Sequence, residues 1–233
     1  MRKIQFAEDQ FYHIYNRGVE KRNIFNKEWD YFRFLTGLAE FNTTASVDLK
    51  LLLEDKYKNW PSTIIKSKIW KEGEGLVKIH AFCLMPNHYH LFVEQIREGG
   101  ISAFMHKLAV GYSMYVNKKY ERVGPLFQGP FKACLVDNET YLTHLLRYIH
   151  LNPVDLIEPN WKKEGVKDWK KVIEFLRSYK WSSFHDYDGK STYPNIISKE
   201  FLFDLLGGVK GHREFLQAWL LKDIDEIQDL TFE

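Results

Sequence analysis

Apolar residues recur along this chain with two periods, and the change from one to the other outlines the fold. On either side of Met85-Pro86-Asn87, runs rich in β-branched and aromatic residues predict two antiparallel strands, roughly 76–84 and 88–95, joined by a tight turn. Phe11-Tyr12-His13-Ile14-Tyr15-Asn16-Arg17-Gly18 reads as another strand running into a turn. Helical spacing takes over at about 27–41, where Trp29, Phe32, Phe34, Leu35 and Leu38 supply an apolar side. It returns at 101–121, where Ile101, Phe104, Met105, Leu108, Tyr112, Tyr115 and Val116 form one stripe. Leu126–Val136 reads as a strand at a sheet edge or bulged, because Pro130 cannot donate to a ladder. Asp137 or Asn138 caps a helix with Leu142, Leu145, Leu146 and Ile149 buried, and Pro153 puts Asn152 at its C-terminal end. Further helices are expected near 168–179, 199–206 and 211–221.

Strand–helix–strand–strand–helix–strand with short antiparallel connections implies an α+β, ferredoxin-like antiparallel sheet with helices packed on it, plus a mainly helical C-terminal extension. Residues 1–157 are the expected main domain, interrupted by an insertion at about 42–75, and 158–233 the extension. Breakers at Trp60-Pro61-Ser62-Thr63 and Gly73-Glu74-Gly75 set the insertion apart, and its lysines read as a solvated face.

Composition bounds the chain without assigning it. At 233 residues, 45% hydrophobic and 27% charged, it suits a globular protein with a real core. No apolar run is long enough for a membrane span, and the N-terminus lacks a signal-peptide core, so a cytoplasmic location without membrane partners is expected. Cys83 and Cys134 are too few for a disulfide framework. Net charge is only +2, but it is unevenly spread. Lys222 stands against five acids in the tail to Glu233, whereas residues 97–136 carry a net +4. A basic segment of that kind is what phosphate binding requires, and aromatics at 16% allow stacking on bases.

The candidate chemistry sits in two stretches. In His88-Tyr89-His90 strand alternation puts both imidazoles on one face, about 6.5–7 Å apart at Cα, close enough to converge on one metal ion. Glu94 shares that face but lies about 13 Å further along. In the later stretch Tyr148 sits about 110° from the centre of its helix's buried stripe, with His144 and Asn152 one turn away on either side. His80, His144 and His150 read as structural or exposed.

With these residues in place the chain resembles the single-tyrosine transposases of small bacterial insertion sequences, closest to the tyrosine transposases associated with repetitive extragenic palindromes. These are HUH endonucleases. The motifs are Met85-Pro86-Asn87-His88-Tyr89-His90-Leu91, Phe127-Gln128-Gly129, Tyr148-Ile149-His150-Leu151-Asn152-Pro153-Val154 and Trp181-Ser182-Ser183. The resemblance implies the same ferredoxin-like fold. It further implies an enzyme in which Tyr148 attacks a DNA phosphodiester, leaving a 5′-phosphotyrosine and a free 3′-OH. His88, His90 and Asn152 would hold Mg²⁺ or Mn²⁺, and the substrate would be single-stranded DNA bearing a hairpin or palindrome. Candidates for gripping the strand are Arg17, Lys107, Lys118, Lys119, Arg122, Gln128, Lys132 and Arg147. Pro130 stands where family members often carry arginine. Two other classes compete: a non-catalytic, domesticated DNA-binding protein, and a metal-dependent hydrolase with water as nucleophile. A homodimer is left open.

Overall fold

The computed structural model describes residues 4–48 and 75–220. Four antiparallel strands form one sheet: β1 (Phe11–Arg17), β2 (Val77–Met85), β3 (His88–Gln95) and β4 (Lys132–Val136), in the order β2-β3-β1-β4. With α1 (Glu28–Glu40) after β1 and α2 (Gly100–Lys119) after β3, the order is that of the expected ferredoxin-like unit. Alternation assigns the two faces. Tyr12, Ile14, Tyr89 and Leu91 are buried towards α1 and α2, where the Phe34 ring lies 5.0 Å from both Tyr89 and Tyr112. His13, Tyr15, His88 and His90 point to the opposite face, which is covered by α3 (Glu139–Leu151).

Beneath α1, Asp30 is fully buried and accepts hydrogen bonds from Tyr115, Tyr120, Lys119 and the backbone N–H groups of Asn26 and Lys27. Burial alone would raise its carboxyl pKa. The bonds from Lys119, Tyr120 and Tyr115 outweigh that, and the result is a lowered value. Asn42 ties the start of the insertion to its end: its side chain accepts from the backbone N–H of Leu76 and Val77, and donates to the Val77 carbonyl at 2.7 Å. Residues 49–74 of the expected insertion and the acidic tail from 221 lie outside the described residues.

One expectation needs correction. The strand foreseen over 126–136 begins only at Lys132. Residues 126–131 instead double back on the end of β1, where the Gln128 N–H donates to the Arg17 carbonyl and the Asn16 amide to the Gly129 carbonyl, both at 3.0 Å. Gly129-Pro130 breaks the ladder there, and β4 is an edge strand. Asn152 stands at the C-terminal end of its α-helix, as its C-cap, the place expected from Pro153. It keeps helical dihedrals (φ −53°, ψ −39°) and opens a 3-10 turn, Asn152–Leu156, in whose first turn Pro153 has no N–H to lose.

The extension comprises α4 (Trp161–Glu164), α5 (Trp169–Ser178), α6 (Phe184–Tyr187), α7 (Glu200–Leu205) and α8 (Gly208–Leu220). It grips the sheet along β2. Trp181-Ser182-Ser183 runs antiparallel to it, the Leu84 N–H donating to the Trp181 carbonyl and the Ser183 N–H to the Phe82 carbonyl. The extension also builds a second apolar core, in which Leu151 and Val154 pack with Trp161, Val172, Leu176, Leu216 and Trp219. The helix that carries Tyr148 therefore has one flank in each core.

Between these cores lies a fully buried histidine pair. His150 Nδ1 is 3.0 Å from His212 Nε2, and His150 Nε2 is 3.0 Å from Ser183 Oγ. Burial lowers the pKa of both, that of His212 to about 4. Both are neutral when folded but gain a proton near pH 6.5 when unfolded. Their contribution to stability is present above that pH and is lost as pH falls towards the folded values. The native protein is therefore expected to show a lower urea midpoint at pH 5 than at pH 7.5, with a smaller drop in a His212→Gln variant. An equal drop in both proteins would remove His212 as a cause.

Candidate active site

Register brings the site together before any side chain is considered. In the antiparallel pairing of β1 with β3, Arg17 faces His88 and Tyr15 faces His90, while β4 places Lys132 opposite Tyr15. The turn at the open end is held by close backbone contacts. Gly18 donates to the Asn87 carbonyl at 2.8 Å, and a Cβ at position 18 would meet the Arg22 carbonyl at 2.2 Å.

Helix α3 crosses this face and is aimed by its cap. The Asn138 side chain accepts from the Tyr141 N–H at 2.8 Å, and Leu145, Leu146 and Ile149 are fully buried. One turn apart on its open side, Tyr148 and Asn152 meet the two histidines. Asn152 Oδ1 lies 3.1 Å from His88 Nε2. The Tyr148 ring stands edge-on to His90, with centroids 5.1 Å apart and planes at 89°. The His88 and His90 rings are 5.0 Å apart.

The donor set suits a cation. Both His88 ring nitrogens face an amide oxygen, Nδ1 that of Asn87 at 2.6 Å and Nε2 that of Asn152 at 3.1 Å; with the proton on Nδ1, Nε2 would turn a lone pair towards Asn152 Oδ1. In that tautomer two acceptors would face each other at 3.1 Å, which is unfavourable alone. Neighbouring ligands of an octahedral ion with bonds of about 2.1 Å are separated by about 3.0 Å. His90 Nε2 and Asn152 Nδ2 are buried without a hydrogen-bond partner among the described residues. Imidazole nitrogens suit divalent transition ions, and an amide oxygen suits Mg²⁺ or Mn²⁺. Among the described residues no three His, Cys, Asp or Glu side chains cluster as a metal site. Glu94 is engaged elsewhere, with Lys78 at 2.8 Å and His80 at 3.0 Å.

Two residues at the site carry no sequence motif. His13 is fully buried, with Nε2 2.9 Å from His90 Nδ1. Burial brings its pKa down to about 3. The pKa of His90 is also lowered, by burial first and then by His13, His88, Lys162 and Arg17. Lys162, from the extension, lies 5.4 Å from the Tyr148 ring centre and pairs with Asp155 at 3.0 Å.

The candidates for strand binding divide. Arg17, Gln128 and Lys132 line a cavity of about 180 Å³ together with Tyr15, His88 and His90. Lys107, Lys118, Lys119 and Arg122 do not reach it: they belong to α2 and the turn after it, in the layer across the sheet. There Lys107 donates to the Thr43 and Ala45 carbonyls, and Lys119 pairs with Asp30 at 2.6 Å. Arg147 is buried, its guanidinium 3.4 Å from the Trp219 ring centre, and burial lowers its pKa to about 10. It braces α3 against α8.

Comparison with known proteins adds a family. Residues 50–152 match the model of the IS200-like transposases, a segment that contains His88, His90 and Tyr148 and ends on Asn152. No curated protein matches the chain. Among solved structures, a tyrosine transposase associated with REP elements and bound to a REP hairpin is 14% identical, with 85% of this chain and 90% of that one covered and a TM-score of 0.49. The tRNA(His) guanylyltransferase of Saccharomyces cerevisiae is 11% identical, with 88% and 81% covered and a TM-score of 0.37. Likeness at this level carries no functional argument. Among the described residues no helix is long and apolar enough to cross a membrane.

Proposed function

Because residues 50–152 match the IS200-like transposase model, we propose that this protein is a DNA transposase that cuts and rejoins single strands through Tyr148. The observation that carries the reading is the meeting of four side chains from two distant stretches: His88 with Asn152 at 3.1 Å, and His90 with the Tyr148 ring at 5.1 Å. In this reading His88, His90 and Asn152 hold a divalent cation, Mg²⁺ or Mn²⁺. When bound, the ion draws charge from the phosphate oxygens and makes the phosphorus a better electrophile.

The chain's own residues supply placement. Tyr148 and Asn152, one turn apart, set the hydroxyl beside the phosphate site. The phenol oxygen forms a bond to phosphorus, the bond to the 3′ oxygen breaks, and that oxygen leaves with a proton as a free 3′-OH. The 5′ phosphate stays on Tyr148, and the reverse reaction rejoins strands. Arg17, Gln128 and Lys132 guide the strand along the cavity beside His88. The core at 1–157 carries the chemistry and the extension braces α3.

The substrate in this proposal is a single strand beside a folded hairpin. A flexible strand can turn its phosphate in line with the tyrosine oxygen, whereas a duplex would have to deform at a cost of a few kcal/mol. The hairpin itself follows from the family resemblance. Labelled duplex, unstructured strand and hairpin-with-tail DNA would be compared with Mn²⁺ at fixed salt on a denaturing gel. The hairpin with a tail is expected to bind tightest and give a covalent protein–DNA band. Fastest cleavage of blunt duplex would refute the single-strand reading. Cleavage without any adduct would point to water as the nucleophile.

A further inference from the structure

His13 is not part of the constellation above, yet it touches it directly. It sits on β1, paired to Phe92 on one side and Cys134 on the other. Its ring is stacked on Tyr15 at 4.8 Å and lies edge-on to Tyr148 at 6.2 Å. From this fixed position its Nε2 meets His90 Nδ1 at 2.9 Å. We propose that His13 is a positioning residue for His90: its Nε2 accepts the Nδ1 proton, which leaves the lone pair on His90 Nε2 for the cation.

A neutral imidazole carries one proton, so only two arrangements satisfy the 2.9 Å contact. If His13 donates, the proton of His90 must sit on Nε2. That nitrogen is buried with no acceptor among the described residues. A proton on that nitrogen offers nothing to a metal. If His90 donates, Nε2 keeps a lone pair that a cation can take. The same bond fixes the ring plane, so the lone pair keeps its direction as ions come and go. Ligating histidines commonly have their second nitrogen held by a carboxylate, carbonyl or water. Here the holder is a second imidazole, on a strand that lies before the matched segment.

The inference rests on His90 being a ligand, and the experiment separates the two ideas. Mn²⁺ binding would be measured calorimetrically on the native protein and on His90→Ala, His13→Phe and His13→Gln variants. Phenylalanine keeps the ring's bulk without an acceptor, whereas glutamine offers an amide oxygen near the same place. His90→Ala is expected to abolish tight binding and His13→Phe to weaken it by on the order of 10–100-fold, with most of that loss restored in His13→Gln. Unchanged affinity in His90→Ala would overturn the ligand reading and the inference with it. Loss in His90→Ala but native affinity in His13→Phe would overturn the inference alone, as would equal weakness in both His13 variants. ¹⁵N imidazole shifts of the native, metal-free protein decide the matter without mutation. A protonated Nδ1 on His90 is expected, and a proton on His13 Nε2 would refute the proposal.

Discussion

Replacing Tyr148 by phenylalanine is expected to lower covalent adduct formation by several orders of magnitude while leaving the fold and strand binding nearly as they are. The ring's contacts do not depend on the oxygen. It lies edge-on to His90 at 5.1 Å and to His13 at 6.2 Å, with the Lys162 ammonium 5.4 Å from its centre, and phenylalanine keeps all three. A change that removes one hydroxyl from a half-buried ring is expected to move stability by no more than about 1 kcal/mol. The nucleophile itself disappears, and no neighbouring group can take over a covalent step made by one oxygen. End-labelled hairpin DNA on a denaturing gel reads the adduct, and a thermal melt reads the fold. An undiminished adduct from Tyr148→Phe would move the nucleophile elsewhere, with Tyr141 next in line.

The second large effect is expected at the histidines. His88→Ala and His90→Ala should each abolish cleavage and weaken Mn²⁺ binding, because two ligands hold a divalent ion poorly where three hold it. They should differ in stability. His88 is half-buried, so its removal costs little. His90 is buried, and its removal leaves His13 Nε2 without that partner, at a cost of about 1–3 kcal/mol. The melting temperature should therefore fall in His90→Ala and hardly move in His88→Ala, with both folded at room temperature. Native Mn²⁺ affinity in both variants would mean that the pair has only a structural part.

The sheet and the helix after β4 could be read from the sequence because their signals are local. Period-two alternation around Met85-Pro86-Asn87 marks both strands and the face shared by His88 and His90, and helical spacing puts Tyr148 and Asn152 on one side. Local period does not say what covers a face. The lysines of α2 form an ordinary polar stripe, and only the packing of α2 on the far layer shows that they are remote from the histidines. Arg147 looks like a free cation until Trp219, seventy-two residues later, is seen beneath it. His13 is one of nine histidines, sits in plain strand rhythm, and meets its partner seventy-seven residues away. A search for polar residues on the inward face of β1 would have singled it out, since a buried imidazole there needs a partner.

The strip Trp181-Ser182-Ser183 along β2 has a consequence for self-association. An unpaired strand edge is a template on which another chain can add. Here Leu84 and Phe82 already bond to the strip, and the Ser198 N–H donates to the Ile79 carbonyl further along the same edge. The open side of the described sheet is β4, five residues long, with Leu135 exposed on it. Two copies that shared a continuous sheet would therefore meet β4 to β4 around a twofold axis. That would set their two cavities on the same side of a single eight-stranded surface, close to the seam, since Lys132 belongs both to the joining strand and to the cavity wall.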